Sequence, residues 1–180
     1  MPRRPLDFYE TPAHYMEPLL QLIGPLTGLR VYEPCVGRGH ISRYLTDARE
    51  LRTNDIDPAC PADTHFDARL LDAWQTPEPW DWTITNPPFS DELLILNRAI
   101  EHSHNIAFLA RLSFLEPTRS RAIFWDIYPP TDLIILPRYS FRLDDHGRRQ
   151  TDNVTCCWIV RREDRPPCVQ FSLWRPNGEK

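Results

Sequence analysis

Short apolar runs alternate with segments of helical periodicity along most of this chain, and that alternation limits the fold more than any other feature. Leu29-Arg30-Val31-Tyr32, Leu51 to Ile56, Leu70-Leu71 closed by Asp72, Trp82 to Thr85, Asn105 to Arg111, Leu133 to Leu136 and Val154 to Val160 each read as a strand. Helical spacing appears before the first strand, at Tyr15, Met16, Leu19, Leu20, Leu22 and Ile23. It returns over Ile41 to Ala48, Glu92 to His102 and residues 117–128. Thr11-Pro12 reads as the start of the first helix, with Thr11 as N-cap and proline at the first helical position; Gly24-Pro25 reads as its end. Strands that alternate with helices make a mostly parallel sheet covered on both faces. No helix separates the last two strands, so the pattern predicts an α/β fold of seven strands with an antiparallel edge. Pro137 to Asn153 has no apolar periodicity and reads as an exposed loop or hairpin.

A chain of 180 residues is long enough to bury a real core and suits one domain over 1–180, without internal repeats. Its 41% hydrophobic and 26% charged residues exclude a wholly disordered chain. No apolar run reaches the length of a membrane span, and the first residues lack the core of a signal peptide, so a cytoplasmic protein is expected. The five cysteines, Cys35, Cys60, Cys156, Cys157 and Cys168, form no Cys-x-x-Cys pair. Free thiols and no metal site are therefore expected. A net charge of −4 argues against a uniformly basic nucleic-acid binder but allows a local basic face.

Open parallel sheets bind ligands at the carboxyl ends of their strands. The chain has six glycines against nineteen prolines, and two of the six fall together in Glu33-Pro34-Cys35-Val36-Gly37-Arg38-Gly39, directly after the first strand. Gly37 and Gly39 allow a ligand to approach the backbone at that turn. The third glycine of a dinucleotide fingerprint is absent, and Glu33 would repel a pyrophosphate. An acidic glycine turn suits a cofactor with positive charge and no phosphate, which points to S-adenosylmethionine. Asp55 is placed to accept from a ribose diol, ahead of Asp57, which precedes proline; Asp72 is preferred to Asp67 as acceptor for an adenine amine. A plainer reading makes each acid a helix cap and the glycine pair a turn.

Asn86-Pro87-Pro88-Phe89 follows the strand ending at Thr85. Proline fixes its own φ and pushes the residue before it towards extended geometry, which holds the Asn86 carboxamide and the Pro87 carbonyl in place. A planar amine lying against Phe89 can donate to both oxygens. The plainer reading is a turn after a strand.

Taken together these segments resemble the class I S-adenosylmethionine-dependent amino-methyltransferases, specifically the DNA adenine-N6 type with cofactor motifs ahead of the catalytic one. Tyr9-Glu10-Thr11-Pro12 resembles that family's cofactor-contacting N-terminal segment, which implies cofactor roles for Thr11 and Pro12. Glu33, Pro34, Gly37 and Gly39 stand in what is similar to its first motif; Asn54-Asp55-Ile56-Asp57 is similar to its ribose-binding motif. Asn86-Pro87-Pro88-Phe89 matches its catalytic tetrad, and Asn86 also borders the cofactor site. Pro137 to Phe141 and Thr151 to Trp158 resemble stretches of compact phage and prophage members. The resemblance implies a Rossmann-like fold, S-adenosylmethionine as cofactor and a flipped adenine as substrate. The chain departs from larger members after Phe89, where no length remains for a separate target-recognition domain.

Nucleic-acid contact is expected from Arg111 and from the basic and aromatic residues Arg138, Tyr139, Phe141, Arg142, Arg148 and Arg149. Asp144 and Asp145 dilute that charge, as a solvated loop would show. An RNA base or a protein glutamine amide presents a similar planar amine, so both stay open as substrates. A non-catalytic scaffold that keeps the fold also stays open.

Overall fold

The computed structural model describes residues 11–116, 118–137 and 155–167. Three α-helices, α1 (Ala13–Ile23), α2 (Glu92–His102) and α3 (Arg119–Ile127), accompany six strands. These are β1 (Arg30–Glu33), β2 (Glu50–Thr53), β3 (Trp80–Thr85), β4 (Ser103–Arg111), β5 (Asp132–Ile135) and β6 (Cys156–Arg162), joined in one sheet in the order β2-β1-β3-β4-β6-β5. The first four strands run parallel. β6 is inserted between β4 and β5 and runs antiparallel to both, the edge expected from a strand pair without a helix between.

Alternation along β4 shows how the two faces are filled. Ile106, Phe108 and Ala110 point to one side with Ile95, Leu96 and Ala99 of α2 and Phe124 and Trp125 of α3. Ala107 and Leu109 point to the other, with Tyr15, Met16 and Leu19 of α1. Side chains two apart share a face of a strand, so this central strand is apolar from Ile106 to Ala110. Trp158 of β6 donates through its indole N–H to the Tyr15 carbonyl at 2.8 Å, which fixes α1 to the sheet. Such a bond satisfies the one polar atom of a large buried ring.

The sheet has six described strands, not the seven expected. Leu70-Leu71-Asp72 does not extend it: a short 3₁₀ helix covers Leu71–Trp74, with Ala73 and Trp74 buried and Leu70 and Leu71 more than half exposed. Trp74 donates to the Ala68 carbonyl at 2.7 Å, and Tyr32 donates to the Ala73 carbonyl at 2.6 Å. The indole, as the larger apolar group, sets which residues face inward. Ile41 to Ala48 is likewise not an α-helix but a 3₁₀ turn at Ser42–Tyr44. Backbone N–H groups of Tyr44, Leu45 and Ala48 bond three residues back, to Ile41, Ser42 and Leu45. Ile41 and Leu45 are buried in either geometry, so their spacing does not distinguish the two. β2 ends at Thr53, whose N–H and hydroxyl are taken by the Asp63 carboxylate at 2.7 and 2.8 Å.

Candidate functional site

Parallel strands with matched register deliver their carboxyl ends to one edge. Glu33 pairs with Thr53, and Thr85 pairs with Phe108, so the segments after β1, β2, β3 and β4 gather there. β1 ends in Glu33, only 1% exposed. Ser42 donates to its carboxyl from both backbone N–H and hydroxyl, while Oε2 has no partner. Burial, reinforced by the charge of Asp55, pushes the Glu33 carboxyl well above the usual range. Gly37 and Gly39 both take positive φ, 53° and 73°. A Cβ at Gly39 would lie 3.1 Å from the Ser42 hydroxyl. The turn is therefore tight against the residue that holds Glu33, and a side chain at either glycine would strain it.

Asp55 is bound into the same turn. Its Oδ2 accepts from the Gly37 N–H at 2.8 Å and its Oδ1 from the Asp57 N–H at 2.9 Å. Asn54, fully buried, is the residue that sequence reasoning missed. Its Nδ2 donates to the carbonyls of Pro34 (3.0 Å) and Phe66 (2.9 Å), and its Oδ1 accepts from the Phe66 N–H and the Thr64 hydroxyl. One carboxamide thus links the glycine turn, the end of β2 and the segment at 64–66. The sequence marks it only as the neighbour of Asp55, because its partners are groups that the fold brings near. Burial and the nearby acids push the Cys35 thiol up, away from the thiolate form.

The Asn86 segment sits one strand away. Asn86 donates through Nδ2 to the Thr11 hydroxyl at 3.1 Å, across 75 residues of sequence. Thr11 is only 4% exposed and makes no side-chain cap for α1, whose cap position is Pro12. The expected N-cap is thus a tether to Asn86 instead. Pro87 is buried, and the Pro88 carbonyl accepts from the Asp91 N–H at 3.0 Å, which closes the turn into α2. The half-buried Phe89 ring carries the Arg111 guanidinium 4.1 Å from its centroid.

The two acids after β2 separate clearly. Asp72 is exposed on the 3₁₀ helix, with Gln75 as its hydrogen-bond partner at 3.5 Å. That hydrogen bond does not link it to the other candidate residues. Asp67 is close enough to act on the Cys35 thiol, and Arg69 holds its carboxyl below the usual carboxylate range. Arg69 also reaches Asp91 at 3.4 Å, tying Asp67 to the start of α2. Arg138, Tyr139, Phe141, Arg142, Arg148 and Arg149 lie outside the described residues. Pro137 and Thr155, which flank them, do lie at this edge: the Pro137 carbonyl accepts from the Tyr15 hydroxyl at 2.8 Å, and the Thr155 carbonyl from the Leu112 N–H at 2.8 Å.

No protein-family model matches the chain, and no curated protein matches it in sequence. Solved structures do. The type I restriction-modification methyltransferase subunit from Streptococcus thermophilus aligns with a TM-score of 0.64 at 14% identity, over 87% of this chain and 45% of that one. The 23S rRNA methyltransferase ErmE aligns with a TM-score of 0.60 at 17% identity, over 91% of this chain and 73% of that one. Precorrin 8W decarboxylase from Methanobacterium thermoautotrophicum aligns with a TM-score of 0.59 at 15% identity, over 87% and 95%. The chain shares the fold of these structures, two of which are methyltransferases; the range of reactions among them leaves the substrate to be argued from the site.

Proposed function

We propose that this chain transfers a methyl group from S-adenosylmethionine to the exocyclic N6 amine of adenine in DNA. The observation that carries this reading is the Asn86 carboxamide, held by Thr11 at the end of β3 and one strand from a glycine turn with a buried acid. The turn fits the cofactor on its own chemistry: Glu33 Oε2 is buried without a hydrogen-bond partner, and an ammonium group would both donate to it and favour its ionised form. Glu33, Pro34, Gly37, Gly39, Asp55, Thr11 and Pro12 would hold it, with Asp55 on the ribose diol. The adenine amine of the cofactor falls to Asp67 in this reading, since Asp72 lies on the exposed 3₁₀ helix. When bound, the cofactor supplies an electrophilic methyl group on a sulfonium.

The residues of the chain then do the positioning. Because Nδ2 of Asn86 is turned to Thr11, Oδ1 is assigned the acceptor role towards an incoming amine. The Pro87 carbonyl accepts its second hydrogen. These bonds favour a pyramidal nitrogen and direct its lone pair, which is otherwise delocalised into the ring. This is orientation and electrostatics, without a general base. Phe89 offers a stacking face to a base taken out of the duplex, worth about 1–3 kcal/mol. Arg111 and the basic and aromatic residues of 138–149 supply contacts to the nucleic acid.

An RNA base is the second reading, favoured by the likeness to an rRNA methyltransferase. Incorporation of labelled methyl into duplex DNA, RNA and protein, run in parallel, separates them. The proposal expects label in DNA; label only in RNA would move the second reading ahead, and label only in protein would contradict both.

A further inference from the structure

An arginine at the end of a buried strand ordinarily sends its guanidinium to water or to a carboxylate. Arg111 does neither in full. It closes β4, its Nε is buried without an acceptor, and no described carboxylate pairs with it. Its guanidinium lies 4.1 Å from the centroid of the Phe89 ring instead. The guanidinium is a planar, delocalised cation of roughly the thickness of a base and stacks well on aromatic faces. It therefore occupies a face of the ring that the catalytic segment offers for stacking.

We infer that Arg111 is a placeholder for the target base. In the substrate-free protein it covers Phe89; when a nucleobase enters, the base takes the ring face and the guanidinium swings out to a backbone phosphate. This rests on the proposed nucleobase substrate and adds to it a residue that couples base entry to phosphate contact. Its position suits the exchange. β4 lies beside β3, so Arg111 stands next to the Asn86 segment; it also pairs with Cys156, at the start of β6. An arginine whose Nε has no partner loses no hydrogen bond from it on leaving the ring, and gains charge-assisted ones at a phosphate.

The exchange makes opposite predictions for charged and uncharged substrates. The fluorescent nucleoside 2-aminopurine riboside, whose emission is quenched by stacking, carries no phosphate. R111A and R111M, the second of which keeps the side-chain volume, should bind it roughly two- to tenfold more tightly than the wild type. Both should bind a duplex oligonucleotide more weakly, with the salt dependence of binding reduced by about one phosphate contact. F89A should lose the quench. Equal or weaker nucleoside binding by R111A and R111M would overturn the inference and make Arg111 a support behind the ring. Labelled methyl transfer by the wild type is read in the same samples. Its absence from all nucleic acid, with the opposite shifts intact, would sink the proposed reaction but not the exchange. Its presence without those shifts would sink the exchange alone.

Discussion

Glu33 sets the electrostatics of the candidate site. Its carboxyl is raised by burial, so the folded protein keeps the proton at pH values where the unfolded chain, near the ordinary glutamate pKa of about 4.3, has lost it. Below about pH 4 both states are protonated and the residue is neutral in stability. As pH rises above that value the unfolded state gains, and stability falls by up to about 1.4 kcal/mol per pH unit until the folded carboxyl ionises. Glu33→Gln removes the penalty and keeps the shape. The urea midpoints of E33Q and wild type should therefore coincide near pH 4 and separate in favour of E33Q by pH 7. A separation that stays constant across this range would refute the buried neutral acid. Cofactor affinity should move the other way and drop in E33Q, because a glutamine cannot ionise to meet an arriving cation as Glu33 can.

Asn54 acts at the same scale through hydrogen bonds alone. Truncation by Asn54→Ala strands the Pro34 and Phe66 carbonyls and the Phe66 N–H. Each buried group left unsatisfied costs about 1–3 kcal/mol, so a loss of roughly 3 kcal/mol in chemical denaturation is expected. A loss under about 0.5 kcal/mol, the level of an ordinary surface change, would show that water replaces these bonds. Neither Asn54 nor Ser42 is legible as a site residue in the sequence. Their roles depend on which carbonyls and carboxyls the fold brings near, and local composition does not encode that.

Among the elements, the antiparallel pair β5–β6 depends on one polar cluster. Arg162, 8% exposed, makes two hydrogen bonds to Asp132 through Nη2, at 2.9 and 3.1 Å, and Asp132 also accepts from the Thr131 hydroxyl at 2.7 Å. Removing one partner of a buried pair leaves the other charge uncompensated. Asp132→Ala should destabilise by about 3 kcal/mol and raise amide exchange first in β5. Uniform exchange across the whole sheet would instead mean that β5 is not a separately opening unit. Elements were legible where a long apolar period left one choice. The sequence range Glu92 to His102 coincides with α2, and β4 and α3 lie within a few residues of their expected bounds. The failures share a cause. Leu70-Leu71-Asp72 and Ile41 to Ala48 are short apolar stretches that satisfy burial in more than one geometry, and Trp74 and the glycine turn decide between them.

For the whole molecule, the sequence pattern was enough for an α/β sheet covered on both faces, with Glu33, Asp55 and Asn86 following strands at its carboxyl edge. It was enough for the order in which Glu33, Asp55 and Asn86 reach that edge, because each follows its own strand. What it could not supply was the contact between Thr11 and Asn86, made between distant segments; read locally, Thr11 is simply a helix cap. The sequence order alone favoured Asp72 over Asp67, and it could not show that Asp72 lies within the 3₁₀ turn Leu71–Trp74 while Asp67 stands before it.

The central claim is that Asn86 presents an acceptor to the amine of a nucleobase while the glycine turn holds S-adenosylmethionine. Its most direct test sets wild type beside Asn86→Ala on unmethylated duplex DNA, with nucleoside mass spectrometry for product and calorimetry for the cofactor. The account predicts N6-methyladenine from the wild type, none from N86A, and cofactor affinities within a fewfold of each other. Methylation by N86A at the wild-type rate, or no N6-methyladenine from a wild type that binds the cofactor, would contradict it.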